Sequence, residues 1–454
     1  MRNAVLAGGI AFLLSALPAC QQQADYGMKI PVDYYKLDNG LRVVLSQDAT
    51  APTATVAVYY NIGFRIEPKD RTGFAHLFEH MMFQGSANLG KMEFIRLVQR
   101  NGGVLNGSTR FDFTNYFQVV PSHKLETILW AEADRMRSLD ITQENLTNQQ
   151  GVVTNEVKVN VLNQPYGGFP WLDIPQVANT NWYNAHNFYG DLEDLGAATL
   201  DDEKDFFKTF SAPNNAVLVI TGDFEPAQAK EWVKKYFGDI PAAPQPAKPD
   251  LTEPRQEQAK RVEKRDALAS RPAIAFAYHM PDRGTPEYYA MGLLDQLLLQ
   301  GDDSMLREAL VQQRGWTSEV SGGINELGHM FNYSGPMLWV FSLIHDATVT
   351  DSAITSVVDS VLQQVAATPV SPAQLERARI KFRSSLYSIL GMFYGFGRAD
   401  LLASFALFDD RPEMVNEIES HMASVTPEQI SAAAREYLRK TNQTALVVVP
   451  GPGK

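Results

Sequence analysis

The chain has 454 residues, 45% hydrophobic and 20% charged, with a formal net charge of −12 at pH 7. That length exceeds one ordinary core, so two or three domains are expected, and the composition is that of a folded globular protein, not a disordered one. The acidity argues against nucleic acid and against an anionic membrane surface as partners, while neutral or basic peptides would be tolerated.

The first residues read as a leader. Arg2 gives a short basic region, residues 4–17 are apolar but too few to span a bilayer, and Leu17-Pro18-Ala19-Cys20 closes the segment. This close resembles a bacterial lipobox, in which the cysteine becomes the lipidated first residue. Residues 1–19 are therefore expected to be a signal peptide, with a lipid on Cys20. An ordinary secretory cut near Ala19 or Ala24, leaving a soluble periplasmic protein, is the alternative, and both export the chain. Cys20 is the only cysteine, which excludes an intrachain disulfide. Beyond the leader no apolar run approaches the length of a spanning helix, so that lipid would be the sole membrane attachment.

Further along, Asn39-Gly40 predicts a turn feeding a strand through residues 41–45, and residues 53–60 read as a second strand. Helical periodicity covers residues 92–100, 124–138 and 142–163, with strands at 116–120 and 216–221 between and after them. Residues 241–257 hold five prolines and few apolar side chains, the composition of a linker, and separate residues 28–240 from 258–451. The two halves close alike. A helix beginning at Thr199 leads to a buried strand ending at Gly222, and one beginning at Thr426 leads to a strand ending at Gly451, intervals of 23 and 25 residues. This repetition suggests a duplicated α+β domain.

The chemistry concentrates in His76-Leu77-Phe78-Glu79-His80. Residues three and four apart share a helix face, so His76, Glu79 and His80 can converge. Two neutral imidazoles suit Zn²⁺, and a carboxylate beside them can take a proton from water. The order inverts the H-E-x-x-H zinc-protease pattern. A catalytic zinc site needs a third protein ligand and an open position. Glu156, 76 residues beyond His80, is favoured, with Glu144 and Asp112 also open.

Gly73-Phe74-Ala75-His76-Leu77-Phe78-Glu79-His80-Met81 resembles the zinc motif of the pitrilysin/insulinase family of metallopeptidases, the inverzincins. In that family the third ligand is a glutamate some 75 residues downstream, which implies Glu156. The segments Gly103-Val104-Leu105-Asn106-Gly107-Ser108-Thr109 and Thr114-Asn115-Tyr116 are similar to the family's substrate-binding strand, and Asn214-Asn215-Ala216 to Gly222-Asp223-Phe224 resembles the close of its N-terminal domain. The likeness runs from about residue 34 to 451. It implies an α+β fold of two homologous domains of the pitrilysin/mitochondrial-processing-peptidase type, each a mainly antiparallel sheet covered by helices. It also implies a zinc-dependent endopeptidase acting on unfolded or short peptides, with His76, His80 and Glu156 as zinc ligands and Glu79 as general base and then proton donor to the leaving amine. Asn106 and Gly107 would lie on an exposed strand edge, where a peptide substrate pairs through its backbone. Gly107 is read equally well as a packing glycine.

Two departures from the family narrow this expectation. Members often carry a glutamate seven residues before the third ligand, supporting the metal site from behind; here it is Gln149, which keeps a hydrogen bond but brings no charge. The stretch Leu310-Val311-Gln312-Gln313-Arg314-Gly315-Trp316-Thr317-Ser318 resembles the family's C-terminal segment that contacts substrate and intermediate, with Val311 in place of an arginine and Ser318 in place of a tyrosine. The expectation is a heterodimer in which a homologous subunit without zinc supplies that Arg/Tyr pair. The alternatives are a non-catalytic scaffold of the same fold and a peptide-binding lipoprotein.

Overall fold

The computed structural model describes residues 27–451; the leader and the lipid site at Cys20 lie outside them. Two sheets organise the chain. The first contains β1 (Asp33–Lys36), β2 (Arg42–Gln47), β3 (Thr53–Tyr60), β4 (Val104–Thr109), β5 (Thr114–Pro121) and β6 (Ala216–Gly222), in the order β1-β2-β6-β3-β5-β4. The second contains β7 (Lys260–Asp266), β8 (Ala273–His279), β9 (Ser321–Ile324), β10 (Leu338–Ile344) and β11 (Gln443–Pro450), in the order β7-β11-β8-β10-β9. The fold is mixed α and β, and the halves repeat one plan. β6 and β11 each run parallel to one neighbour and antiparallel to the other, and all remaining pairs are antiparallel.

The repeated closings have a local cause. Thr199 and Thr426 each cap the helix that follows, Leu200–Phe210 and Pro427–Tyr437, through a reciprocal capping box with Asp202 and Gln429. Each helix then delivers the chain to an interior strand of its sheet, β6 or β11. Residues 241–257 contain no helix or strand, yet they are fastened: the Glu253 carboxylate accepts from Asn181 N and Asn184 Nδ2, and Gln256 Nε2 donates to Gln443 O.

Side-chain alternation gives the first sheet two buried faces. Val43, Leu45, Val56, Val58 and Tyr60 pack under α1 (Phe74–Met81), α2 (Glu93–Arg100) and α3 (Leu125–Arg137). Val44, Ala57, Tyr59, Val217 and Val219 belong instead to the core that contains the second half. The covering element is the long helix Pro372–Phe408, which lies across β3 and β6. Polar groups pin it there: Tyr59 Oη donates to Asp400 at 2.6 Å, His329 Nε2 meets the same carboxylate at 2.8 Å, and Arg398 reaches Ser46 and Asp48. Asp112, open as a metal ligand from sequence, is part of this junction. It pairs with buried Arg65 at 3.3 Å and accepts from Ser334 N, while Arg65 donates to Pro336 O.

Helix Leu200–Phe210 supports α1 through Phe206, whose ring lies 6.0 Å from Phe74 and 5.6 Å from Phe78. On its buried side Glu203 is fully enclosed, and among the described residues neither carboxylate oxygen has a hydrogen-bond partner. Burial, with Asp202 adding to it, raises this carboxyl to about 8. A group raised on folding stabilises fully below its unfolded value, near 4.5, and that stability drains away as pH rises through about 8. Glu203→Gln is neutral throughout. Thermal melts from pH 5 to 9 are therefore expected to show wild type falling behind the variant by up to about 4 kcal/mol at the alkaline end. Parallel melting curves would contradict this.

Candidate active site

α1 is short, and its first turn is held from upstream. Gly73 precedes it at φ 84°, and a Cβ there would lie 2.5 Å from Tyr189 O, so only glycine fits. No adjacent side chain caps the helix. The buried Glu67 carboxylate does so instead, accepting from Gly73 N at 2.9 Å and Ala75 N at 2.6 Å. A carboxylate at this end satisfies two orphan donors and complements the helix dipole. The loop through Gly190 clamps the same turn, with Asp191 N donating to Thr72 Oγ1 and Thr72 Oγ1 donating to Asp194.

α4 (Gln143–Val157), capped by Thr142, lies beside α1. Gln149 and Glu156 are two turns apart on it and therefore share a face. The structure brings His76, His80 and Glu156 together, with one donor atom from each all within 4.8 Å. His76 Nε2 lies 3.2 Å from His80 Nε2, and Glu156 reaches them at 3.8 and 3.4 Å. Glu144 is not in this group, and among the described residues no other such group of histidines and acids forms.

This donor set fits zinc. Ligands about 2.0–2.1 Å from a tetrahedral ion stand about 3.3 Å apart, close to two of the three observed separations. Gln149 Oε1 lies 3.3 Å from His80 Nδ1, and a hydrogen bond accepted there would turn His80 Nε2 to a metal, which replaces the proton that Nε2 otherwise shares with Glu156. His76 is buried against Phe188 and Tyr189, at 5.3 and 5.2 Å between ring centroids. Burial and the neighbouring His80 lower it to about 4, so its imidazole is neutral and able to ligate. Hydrogen bonding to His80 holds the Glu156 carboxyl below its ordinary value, against a smaller opposing effect of burial.

Glu79 projects from the same helix beside the cluster. Thr109 Oγ1, at the end of β4, donates to Glu79 Oε2 at 2.8 Å. Burial raises the Glu79 carboxyl and the Thr109 hydrogen bond opposes it, leaving a base stronger than an exposed glutamate. Tyr189 Oη donates to Glu156 Oε1 at 3.1 Å. Sequence reasoning singled out neither Thr109 nor Tyr189 nor Glu67, because each acts across a distance that only the fold closes. Thr109 had one signal: it ends the segment that carries Asn106 and Gly107.

β4 is one of the two edge strands of its sheet. Asn106 is exposed on it, opposite Phe117 of β5. Gly107 faces the other way, where a Cβ would lie 3.1 Å from the Tyr116 ring, so its lack of a side chain serves packing on that face. In the second half, Val311 is half-buried against the core and Ser318 is exposed. Arg314 is engaged locally, donating to Ala309 O at 2.8 Å with its guanidinium 5.4 Å from the Trp316 ring.

Residues 42–166 match the family described as Insulinase (Peptidase family M16), and residues 197–382 match the one described as Peptidase M16 inactive domain. The chain belongs to the pitrilysin/insulinase family, peptidase family M16. Among its relatives, the zinc protease PqqE of Helicobacter pylori is 25% identical over 421 residues, covering 91% of this chain and 92% of its own length. A solved structure of a protease from Helicobacter pylori has a TM-score of 0.85 at 24% identity, covering 93% of this chain and all of that one. The periplasmic protease PqqL from Escherichia coli has a TM-score of 0.75 at 16% identity, covering 93% of this chain and 48% of that one. These two likenesses are to the fold.

Proposed function

We propose that this chain is the zinc-bearing subunit of an endopeptidase that cleaves unfolded or short peptides. The convergence of His76, His80 and Glu156, with Glu79 beside them, is the observation that carries the reading. His76, His80 and Glu156 hold the zinc, and Gln149 fixes the His80 tautomer from behind. Bound zinc would supply Lewis-acid polarisation of the scissile carbonyl and of water. Glu79 takes the proton of the attacking water and passes it to the leaving amine. Thr109 orients the oxygen that does so. The backbone at Asn106 and Gly107 pairs with the peptide along the free edge of β4, which gives affinity with little demand on sequence.

Val311 and Ser318 leave the chain without an arginine and a tyrosine for the developing oxyanion, and a homodimer would lack them on both sides. The partner in this reading is a homologous subunit that carries the pair and lacks the zinc motif. The working division is residues 28–240, a connecting segment 241–257, and residues 258–451. Export to the periplasm, with a lipid on Cys20, belongs to the same reading. The fold relative from Escherichia coli is a periplasmic protease, and no helix among the described residues is long and apolar enough to cross a membrane.

Zinc content tests the ligand set. Glu156→Ala is expected to weaken zinc binding by more than about 100-fold, measured by competition with a chromophoric chelator. Unchanged zinc affinity would remove Glu156 from the site.

A further inference from the structure

The long helix Pro372–Phe408 breaks at one place. Met392 is extended, and Phe393, Tyr394 and Gly395 follow in the left-handed region at φ 46°, 59° and 99°. Two aromatic residues there are strained, because their Cβ atoms crowd the following carbonyl. The chain returns to the helix through Gly397, where a Cβ would lie 1.7 Å from Ile389 O. The break lifts Met392, Phe393 and Tyr394 into solvent, at 47%, 56% and 78% exposure. Among the described residues no other three consecutive large apolar side chains are exposed. Strain and apolar exposure in one segment are features of binding sites.

The position of the loop says what binds. Phe396 stacks on Phe117 at 3.6 Å and 14°, and Phe393 lies 6.1 Å from the same ring. Phe117 faces Asn106 across the outermost strand pair, and partners in such a pair share a face. Val104, which is exposed, and Asn106 therefore point to the side of the loop, whereas Gly107 and Thr109 alternate onto the faces set by Tyr116 and Thr114. A peptide added to the edge of β4 alternates its own side chains in the same way. Asn106 stands three residues before Thr109, about 10 Å along the strand from the group that holds Glu79.

Resting on the peptidase reading above, we propose that Phe393 and Tyr394 form an aromatic subsite. It takes one apolar side chain of the bound peptide, about three residues from the scissile bond, on the face turned away from α1. The rings offer apolar and stacking contact, which a flexible Gly-Ser segment cannot use.

Direct binding tests this in the zinc-loaded full chain carrying Glu79→Gln, which holds peptide without cutting it. The probes are a fluorescein-labelled Gly-Ser decapeptide and the same peptide with a single Phe stepped through each position, followed by anisotropy. The Phe peptide of one register is expected to bind at least about fivefold tighter than the Gly-Ser peptide. Adding Phe393→Ala, or separately the more exposed Tyr394→Ala, is expected to shrink that preference while leaving the affinity for the Gly-Ser peptide unchanged. Preference undiminished in both variants, or equal loss for both peptides, would overturn the subsite. A changed sedimentation coefficient with preference intact would overturn it too, and would assign the loop to a contact between protein subunits. Failure of every peptide to bind before the loop is altered would instead bring down the peptidase reading itself.

Discussion

Glu79→Gln is expected to retain zinc and lose about 10²–10⁴ in kcat against an unstructured peptide. The amide has the shape of the carboxylate, and its oxygen can still accept the hydrogen bond from Thr109 Oγ1 that now holds Glu79 Oε2. It cannot accept a proton from water. His76 and His80 flank this position on α1 but depend on Gln149, Glu156 and the aromatic wall for their orientation. The substitution thus separates proton transfer from metal binding. Metal content and steady-state kinetics on one preparation read both. Undiminished kcat would place the base elsewhere, and loss of zinc would make Glu79 a ligand.

The second large effect concerns the arginine and tyrosine that the two-chain reading assigns to a partner. Assayed alone, the chain is expected to hydrolyse peptides about 10²–10³-fold more slowly than when mixed with a homologous chain that carries the arginine and tyrosine, the usual loss when an oxyanion donor is absent. Valine at position 311 offers no donor, and Ser318 is too short to replace a tyrosine. Arg314 does not substitute for them: it donates to Ala309 O and lies over Trp316. Titration of the partner at constant peptide concentration measures the gain, which should saturate at equal amounts of the two chains. Full activity of the chain alone would sink the two-chain reading.

The sequence carried the centre of the site better than its surroundings. A helix brings residues four apart together whatever the tertiary context, so His76, Glu79 and His80 could be read as a group before any fold was known. The choice among Glu156, Glu144 and Asp112 was different, because it depends on which helix lies beside α1. Resemblance favoured Glu156, and the structure places it 3.4 Å from His80 while Asp112 is held by Arg65. The supports are non-local. Glu67 caps α1 from six residues upstream, and Tyr189 reaches Glu156 across 33 positions. Periodicity has no means of signalling either contact.

Strand readings followed the same rule. β3 spans Thr53–Tyr60, as its β-branched and aromatic residues predict, and the capped Thr199 and Thr426 helices precede equivalent interior strands, each parallel to one neighbour. The pattern did not reveal what covers the second face of the first sheet. Val44, Tyr59 and Val219 pack against a helix contributed by the other half, beyond 150 residues of intervening chain. That helix was also hard to read, since it breaks from Met392 to Gly395, between Gly391 and Gly397, where Phe393 and Tyr394 turn outward.

Removal and return of the metal bears most directly on the central claim. The chain, mixed with the homologous partner of the two-chain reading, would be stripped by a chelator, dialysed and titrated with zinc while peptide cleavage is followed. Cleavage is predicted to vanish on stripping and to recover in proportion to zinc, levelling at about one ion per copy of this chain. Cleavage that survives complete removal of the metal would contradict it.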